Sequence, residues 1–183
     1  MDAEADQLIL EAAKQLLHEV GYARLTIDGV AQAAGVARTT IYRRYRDKAD
    51  LVAAAIDSLR QPPPRAPDGD VREELIAHLD AARRGFDMSL AGTLLMEAPH
   101  NPALMELFRE RMIAPRRDVL RKLLERGISE GQLRRTMDIE RTIDLFFGAL
   151  FFATLSAGRP SRSWSVETVD ALWPALVRPQ PGP

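Results

Sequence analysis

The sequence predicts an all-α protein, with an N-terminal three-helix module followed by a larger helical bundle. Three observations carry that expectation. Apolar residues recur every three to four positions nearly throughout the 183 residues. No run alternates apolar and polar residues as a half-buried strand would. Finally, Gln61-Pro62-Pro63-Pro64-Arg65-Ala66-Pro67-Asp68-Gly69-Asp70 divides the chain, because four prolines in six residues cannot continue a helix.

The first helix carries Leu8, Ile9, Ala12, Ala13, Leu16, Leu17 and Val20 on one stripe. Acidic residues open it and Gly21 closes it, as the helix dipole and the left-handed C-cap favour. Thr26 is the expected N-cap of a short second helix bearing Ile27, Val30, Ala31 and Ala34, which Gly35 stops. A third short helix runs from about Arg38 to Tyr45. Asp47 caps a fourth, through Leu51, Val52, Ala55, Ile56 and Leu59, with Asp50 at the capping-box position. Beyond the prolines, longer helices are expected at about 71–86, 89–98, 103–113, 116–130, 138–157 and 166–178. Pro102 and Pro115 suit first turns, where a missing amide proton costs nothing, and Pro174 should kink or end the last helix. The chain thus divides into the three-helix module (1–50), a connecting helix (51–60), the linker (61–70) and the bundle (71–183).

Composition excludes several functions. There is no cysteine, hence no disulfide framework, thiolate metal site or cysteine nucleophile. Three histidines, His18, His78 and His100, leave no ligands to spare for a metal. Glu97 and His100 have the spacing of a di-iron helix, but such a site needs a second copy and two further carboxylates. No phosphate loop, dinucleotide glycine motif or HExxH occurs, so neither enzymatic activity nor a metal or cofactor is expected. The acidic N-terminus is unlike a signal peptide, and the most apolar run, Leu145 to Leu155, is eleven residues, too short to span a membrane. A cytoplasmic protein without a membrane partner is expected.

The net charge of −1 hides a pattern. Residues 38–48 carry Arg38, Arg43, Arg44, Arg46 and Lys48 against Asp47 alone. Two short helices meeting at the Gly35 turn, with small Ala31 where a crossing helix must approach, form the pattern of a helix-turn-helix, whose second helix enters the DNA major groove. On a helical wheel Ile41 and Tyr45 share the inward face with Val36, while Arg43 falls opposite beside Thr39 and Thr40. Tyr42 and Arg44 flank that face, and Arg38 stands at the exposed end. Guanidinium and hydroxyl groups are the types that read guanine edges and hold phosphates. Lys48 lies in a helix first turn, against the dipole, a placement that makes sense beside a phosphate.

The stretch Ala34-Gly35-Val36-Ala37-Arg38-Thr39-Thr40-Ile41-Tyr42-Arg43-Arg44-Tyr45-Arg46-Asp47-Lys48-Ala49-Asp50-Leu51 closely resembles the signature of the tetracycline-repressor (TetR) family of bacterial transcription regulators. The resemblance covers about residues 5–60. It implies contact with double-stranded DNA through Thr26, Arg38, Thr39, Thr40, Tyr42, Arg43, Arg44 and Lys48. Ala37, Thr39 and Tyr45 depart from the family's usual serine, glycine or proline, and phenylalanine, which leaves the base preference open.

The resemblance also implies a homodimer built on the last two long helices. The residues support this separately: from Ile143 to Ala153 almost no polar face remains, so that helix must be buried on all sides. Phe146, Leu150, Ala153, Val169, Leu172, Trp173 and Leu176 are the expected interface. For a small lipophilic effector, Met88, Leu95, Met96, Met105, Phe108, Met112, Phe147 and Phe151 are candidate lining residues, since methionine adapts to irregular shapes, with His78, Thr93, His100 and Arg109 as the nearest orienting polar groups. A methionine stripe at helical spacing is more often plain core. The basic stretch Arg109–Arg126 reads as a solvated helix with spaced ion pairs. The expected function is a dimeric repressor that binds a palindromic operator with its recognition helices roughly 34–36 Å apart and is released by an effector. The alternative is a dimeric regulator or architectural protein that binds DNA without one.

Overall fold

A computed structural model of the chain describes residues 2–58 and 69–177. Apart from Gly69 and Asp70, the expected linker lies outside them, as do the ends of the connecting and last helices. The contacts group the chain into two compact units: residues 1–60 with 87–115, and residues 61–86 with 116–183. Residues 87–115, assigned from linear order to the C-terminal bundle, pack with the N-terminal helices.

In the first unit, α1 (Asp2–Arg24) ends in a break at Gly21, whose φ of 75° and ψ of 171° no other residue type adopts readily. Thr26 caps α2 (Ile27–Ala34), its Oγ1 accepting the Gly29 N–H at 3.0 Å. Gly35, left-handed at φ 65°, ends α2 by donating its N–H to Ala31 and Gln32 carbonyls. Next come α3 (Arg38–Tyr42) and α4 (Lys48–Asp57), the latter capped by Asp47 through the Asp50 N–H. Two later helices join them: α6 (Met88–Glu97), capped by Asp87, and α7 (Pro102–Phe108), capped by Asn101 with Pro102 in its first turn. One core unites them: Ile9, Ala13 and Leu17 of α1, Val30 of α2, Ile41 of α3, Leu51, Val52 and Ile56 of α4, then Leu94, Leu104 and Met112.

A π turn, Arg109–Ile113, follows α7 and leads into α8 (Ala114–Ser129). Pro115 explains it. A proline ring clashes with the carbonyl four residues earlier, here that of Arg111. The wider turn, in which the Ala114 N–H reaches back five residues to the Arg109 carbonyl, relieves that crowding.

The second unit holds α5 (Val71–Gly85), α8, α9 (Ile139–Ala157) and α10 (Trp164–Leu176) around Val71, Leu75, Leu79, Leu120, Leu124, Ile143, Phe146 and Val169. Gln132 ties its loop to the start of α5, accepting the Val71 N–H at 3.2 Å and donating to the Gly69 carbonyl at 3.3 Å. Pro174 does not stop α10 at once; the helix runs two residues further, and Arg134 donates to the Pro174 and Val177 carbonyls there. Among the described residues no strand forms beyond an isolated bridge between Leu133 and Val177. No described helix is long and apolar enough to cross a membrane.

The apolar residues of α9 and α10 sort differently from expectation. Phe146, Leu150, Val169 and Leu176 are buried in their own chain's core, so they are not free to meet a partner. Ala153, Leu172 and Trp173 are half-buried. A helix that is apolar on every side does not reveal in its sequence which side its own core takes. The exposed side of α9 is Leu145, Gly148, Phe152 and Leu155, one face at helical spacing, with Phe152 68% exposed.

Gly127 of α8 marks the tightest approach in this unit. A Cβ there would stand 2.7 Å from Leu133 Cδ1 and 3.0 Å from Val71 Cγ2. Gly127→Ala should therefore destabilise the protein, since overpacking of about 1–3 kcal/mol outweighs the roughly 1 kcal/mol alanine gains in helix propensity. Urea unfolding reads the difference as a lowered midpoint with an unchanged slope; a midpoint at or above wild type would refute the close packing.

Candidate nucleic-acid interface

The third helix has five residues, too few to persist alone in water. It is held from below. Ile41 is fully buried and Tyr45 nearly so, as the wheel predicts, and Val36 packs against the same core. The Tyr45 hydroxyl donates to Asp6 of α1 at 2.6 Å. Burial, that bond and the Asp6 charge push the phenol well above its usual range, so it stays a donor. The opposite face is open. Thr26, Arg38, Thr39, Tyr42 and Arg43 are exposed, and Thr40 is half-buried at the edge.

Arg38 is organised at the surface: its guanidinium pairs with Asp28 at 3.1 Å, donates to the Tyr42 hydroxyl at 3.1 Å and lies 5.3 Å above the Tyr42 ring. Such a stacked fork is aimed, not freely rotating. Arg43, opposite Ile41, projects without that bracing.

Two of the expected DNA contacts are turned inward. Arg44 is only 15% exposed; it donates to the Thr40 carbonyl at 2.9 Å, and its Nε stands 3.6 Å from Asp6. The wheel fails for it because α3 ends at Tyr42 and the backbone tightens, the Arg44 N–H bonding to Ile41 three residues back. Lys48 donates to the Tyr22 and Ala23 carbonyls at 2.8 and 3.4 Å, its ammonium 4.2 Å from the Tyr22 ring. These carbonyls close α1, where a cation is favourable, so the lysine that opposes its own helix's dipole satisfies its neighbour's. Burial lowers its pKa. Arg46, 72% exposed beside α3, joins the outward cations and was absent from the expected set.

Beneath this surface lies Asp50 of α4, 5% exposed. Its Oδ2 accepts the Arg46 N–H at 2.9 Å, and its Oδ1 accepts from Arg111 Nη2 at 2.5 Å. Burial alone would raise this carboxyl; the Arg46 amide and the Arg111 and Arg46 guanidinium groups outweigh it and hold it below the usual range.

The residues proposed to line an effector pocket divide between the two units. Met112 is buried in the first unit's core, and Met105 and Phe108 pack against it. Leu95 and Met96 are 56% and 76% exposed. Met88 is half-buried there. In the second unit Phe147 packs against the core, Phe151 meets Phe86 edge-on at 6.2 Å, and the His78 ring bonds the Glu74 carbonyl at 2.7 Å. Helical spacing marks such residues as apolar without saying which core they join. The first unit instead contains a cleft of about 310 Å³ among α1, α4 and α6, floored by Leu17, Ile56 and Leu90 and rimmed by Lys14, His18 and Asp87. Of the expected lining and orienting residues only Thr93 borders it. Among the described residues no cluster of potential metal ligands occurs.

Residues 9–55 match the model of bacterial regulatory proteins of the tetR family, and residues 65–172 match the tetracyclin repressor-like C-terminal domain. The HTH-type transcriptional regulator YdeS of Bacillus subtilis is 34% identical over 162 residues, covering 86% of this chain and 81% of that protein. A DNA-binding transcriptional repressor TetR of Mycobacteroides abscessus is 27% identical over 176 residues, covering 93% of both. The transcriptional regulator FadR of Bacillus subtilis, solved in complex with stearoyl-CoA, shares the fold at a TM-score of 0.68 and 18% identity, over 91% of this chain and 96% of that one.

The Asp50 carboxylate yields a pH-dependent prediction. Its folded pKa lies below the unfolded value of about 3.9, so its stabilisation is complete above that value and is lost as pH falls through the folded one. Asp50→Asn should cost roughly 1.5–3 kcal/mol at pH 7 and flatten the acid limb below about pH 4. Urea titrations at pH 7 and pH 3 test this, and equal losses in wild type and variant would refute it. With its helix-turn-helix exposed over a buried anchor, and both family models matched along its length, the chain belongs to the TetR family of DNA-binding transcriptional regulators, a class without enzymatic activity.

Proposed function

We propose that the protein is a homodimeric repressor that reads a palindromic operator with α3 and is released by a small lipophilic effector. The observation that carries the DNA-reading part is the outward face of α3, where Arg38, Thr39, Tyr42 and Arg43 stand over the buried Ile41. Thr26 and Thr40 border this face, and Arg46 adds charge beside it. Arg44 and Lys48 support the surface from within, through Asp6 and the end of α1.

Footprinting on the DNA flanking the protein's own gene tests this reading; a protected palindrome is expected, and no protection at low salt overturns it. Arg43→Ala should cost about 1–3 kcal/mol of operator binding and relax sequence choice at the bases it meets. An equal loss on operator and random DNA would instead make Arg43 a phosphate contact.

Dimerisation is supported by the exposed stripe Leu145, Gly148, Phe152 and Leu155 on α9, with the half-buried Ala153 on the same helix and Leu172 and Trp173 on α10. A row of large apolar side chains at helical spacing is a surface suited to a second helix. Phe152→Glu should yield a monomer in sedimentation equilibrium with helical content unchanged, and a persistent dimer would place the interface elsewhere. The effector's lipophilic character is suggested by the apolar interiors of both units and by the acyl-CoA held by the FadR of Bacillus subtilis. A thermal-shift screen of lipophilic compounds against the whole chain identifies it.

A further inference from the structure

Asp50 is the most deeply buried charged side chain among the described residues, and its two oxygens serve different elements. Oδ2 holds the Arg46 backbone N–H at 2.9 Å, in the turn that leads from the end of α3 at Tyr42 to α4. Oδ1 holds the Arg111 guanidinium at 2.5 Å, from the middle of the π turn. One rigid carboxylate is therefore bonded at once to the exit of the recognition helix and to a segment 61 residues away.

Arg111 is 37% exposed, so the pair is only partly buried, and such a pair is a poor device for stability alone, because desolvation of Asp50 offsets much of the attraction. An apolar residue at 50 facing an apolar residue at 111 would hold the core as well. What the pair adds is direction, since a carboxylate and a planar guanidinium engage in few geometries. The direction of Arg111 depends in turn on the π turn. Pro115 forbids the regular hydrogen bond to the Arg111 carbonyl, and the extra residue in the turn rotates Arg111 relative to a continuous α-helix. A helix residue displaced by one position swings about 100° around the axis, enough to carry a guanidinium off its partner.

We propose that Arg111 and Asp50 are positioning residues for operator recognition: the Pro115-dependent π turn aims Arg111 at Asp50, and Asp50 sets the exit of α3 through the Arg46 amide. This rests on the reading of α3 as the DNA-contacting helix. The joint acts on the angle at which Arg43 and Thr39 are presented, not on the total charge offered to phosphate, so it governs discrimination between sequences.

The experiment uses the full chain and two duplexes of equal length, the footprinted operator and a random sequence, titrated by fluorescence anisotropy at several salt concentrations. Arg111→Met should lower the operator-to-random affinity ratio about tenfold, with random-sequence affinity and its salt slope unchanged. Arg111→Lys, which keeps a cation within reach of Asp50, should retain most of the ratio. Pro115→Ala removes no charge, frees the backbone to form a regular α-helical turn, and should lower the ratio as Arg111→Met does; it carries the test if Arg111→Met fails to fold by circular dichroism. An unchanged ratio in the folded variants overturns the joint, as does an equal fall on both duplexes, which makes Arg111 a phosphate contact. Wild-type protein that binds no fragment overturns the DNA-contacting reading itself and the joint with it, whereas wild-type binding with unaffected variants overturns the joint alone.

Discussion

The burial of Ile41 and Tyr45 in the first unit's core is the constraint from which the proposed DNA-reading surface follows. A helix of five residues has barely passed its nucleation cost and holds its shape only by packing. Ile41 has no exposed surface, and Tyr45 adds a hydrogen bond to Asp6 that fixes the ring's rotation as well as its depth. With those two side chains seated, the residues between them have no freedom over which way they face. Arg43 points outward because Ile41 points inward. Arg38 is steadied by Tyr42 and Asp28, so part of the ordering cost of any contact it makes is met in advance.

What the sequence made legible is what local chemistry determines. Thr26, Gly35 and Asp47 act within three or four residues of themselves, and each does what its residue type and neighbours indicate. The inward pair on α3 is equally local. What the sequence leaves illegible is chiefly the partners far away in the chain. Lys48 reaches Tyr22, Tyr45 reaches Asp6, and Asp50 reaches Arg111, over separations of 26, 39 and 61 residues. No pattern around Lys48 announces that the carbonyls closing α1 will lie beneath it. Periodicity has a related limit: it marks Phe146 and Phe152 alike as apolar residues of one helix, yet the first is wholly buried and the second mostly exposed.

Two basic segments illustrate why net charge is a poor guide to partners. Residues 109–126 carry seven basic side chains, but much of that charge is matched across helices. Arg117 pairs with Glu140 and Asp144, Arg121 with Glu140 and Asp118, and Arg126 with Glu74. Arg121 and Arg117 pull the Glu140 carboxyl down to about 2. Exposed pairs of this kind each contribute about 0–1 kcal/mol, so their main effect is to cancel field, not to add stability. Around α3 the matching is incomplete: Asp28 engages Arg38 and Asp6 engages Arg44, while Arg43 stays exposed. Unmatched charge on a braced scaffold is what draws a polyanion.

The order of contacts also bears on how an effector could act. The chain passes between its two units at three places, after residue 60, between Phe86 and Asp87, and between Pro115 and Arg116. These links differ physically. Phe86 and Asp87 are both extended, with ψ of 122° and 110°, and an extended peptide transmits little torque. Around Pro115 the backbone stays helical, Ala114 having φ −59° and ψ −45°, and a hydrogen-bonded helix transmits rotation as well as displacement. A ligand shifts an equilibrium only by its differential affinity for two states. The two states must therefore differ along a path stiff enough to carry that difference, a requirement that a helical link meets better than an extended one.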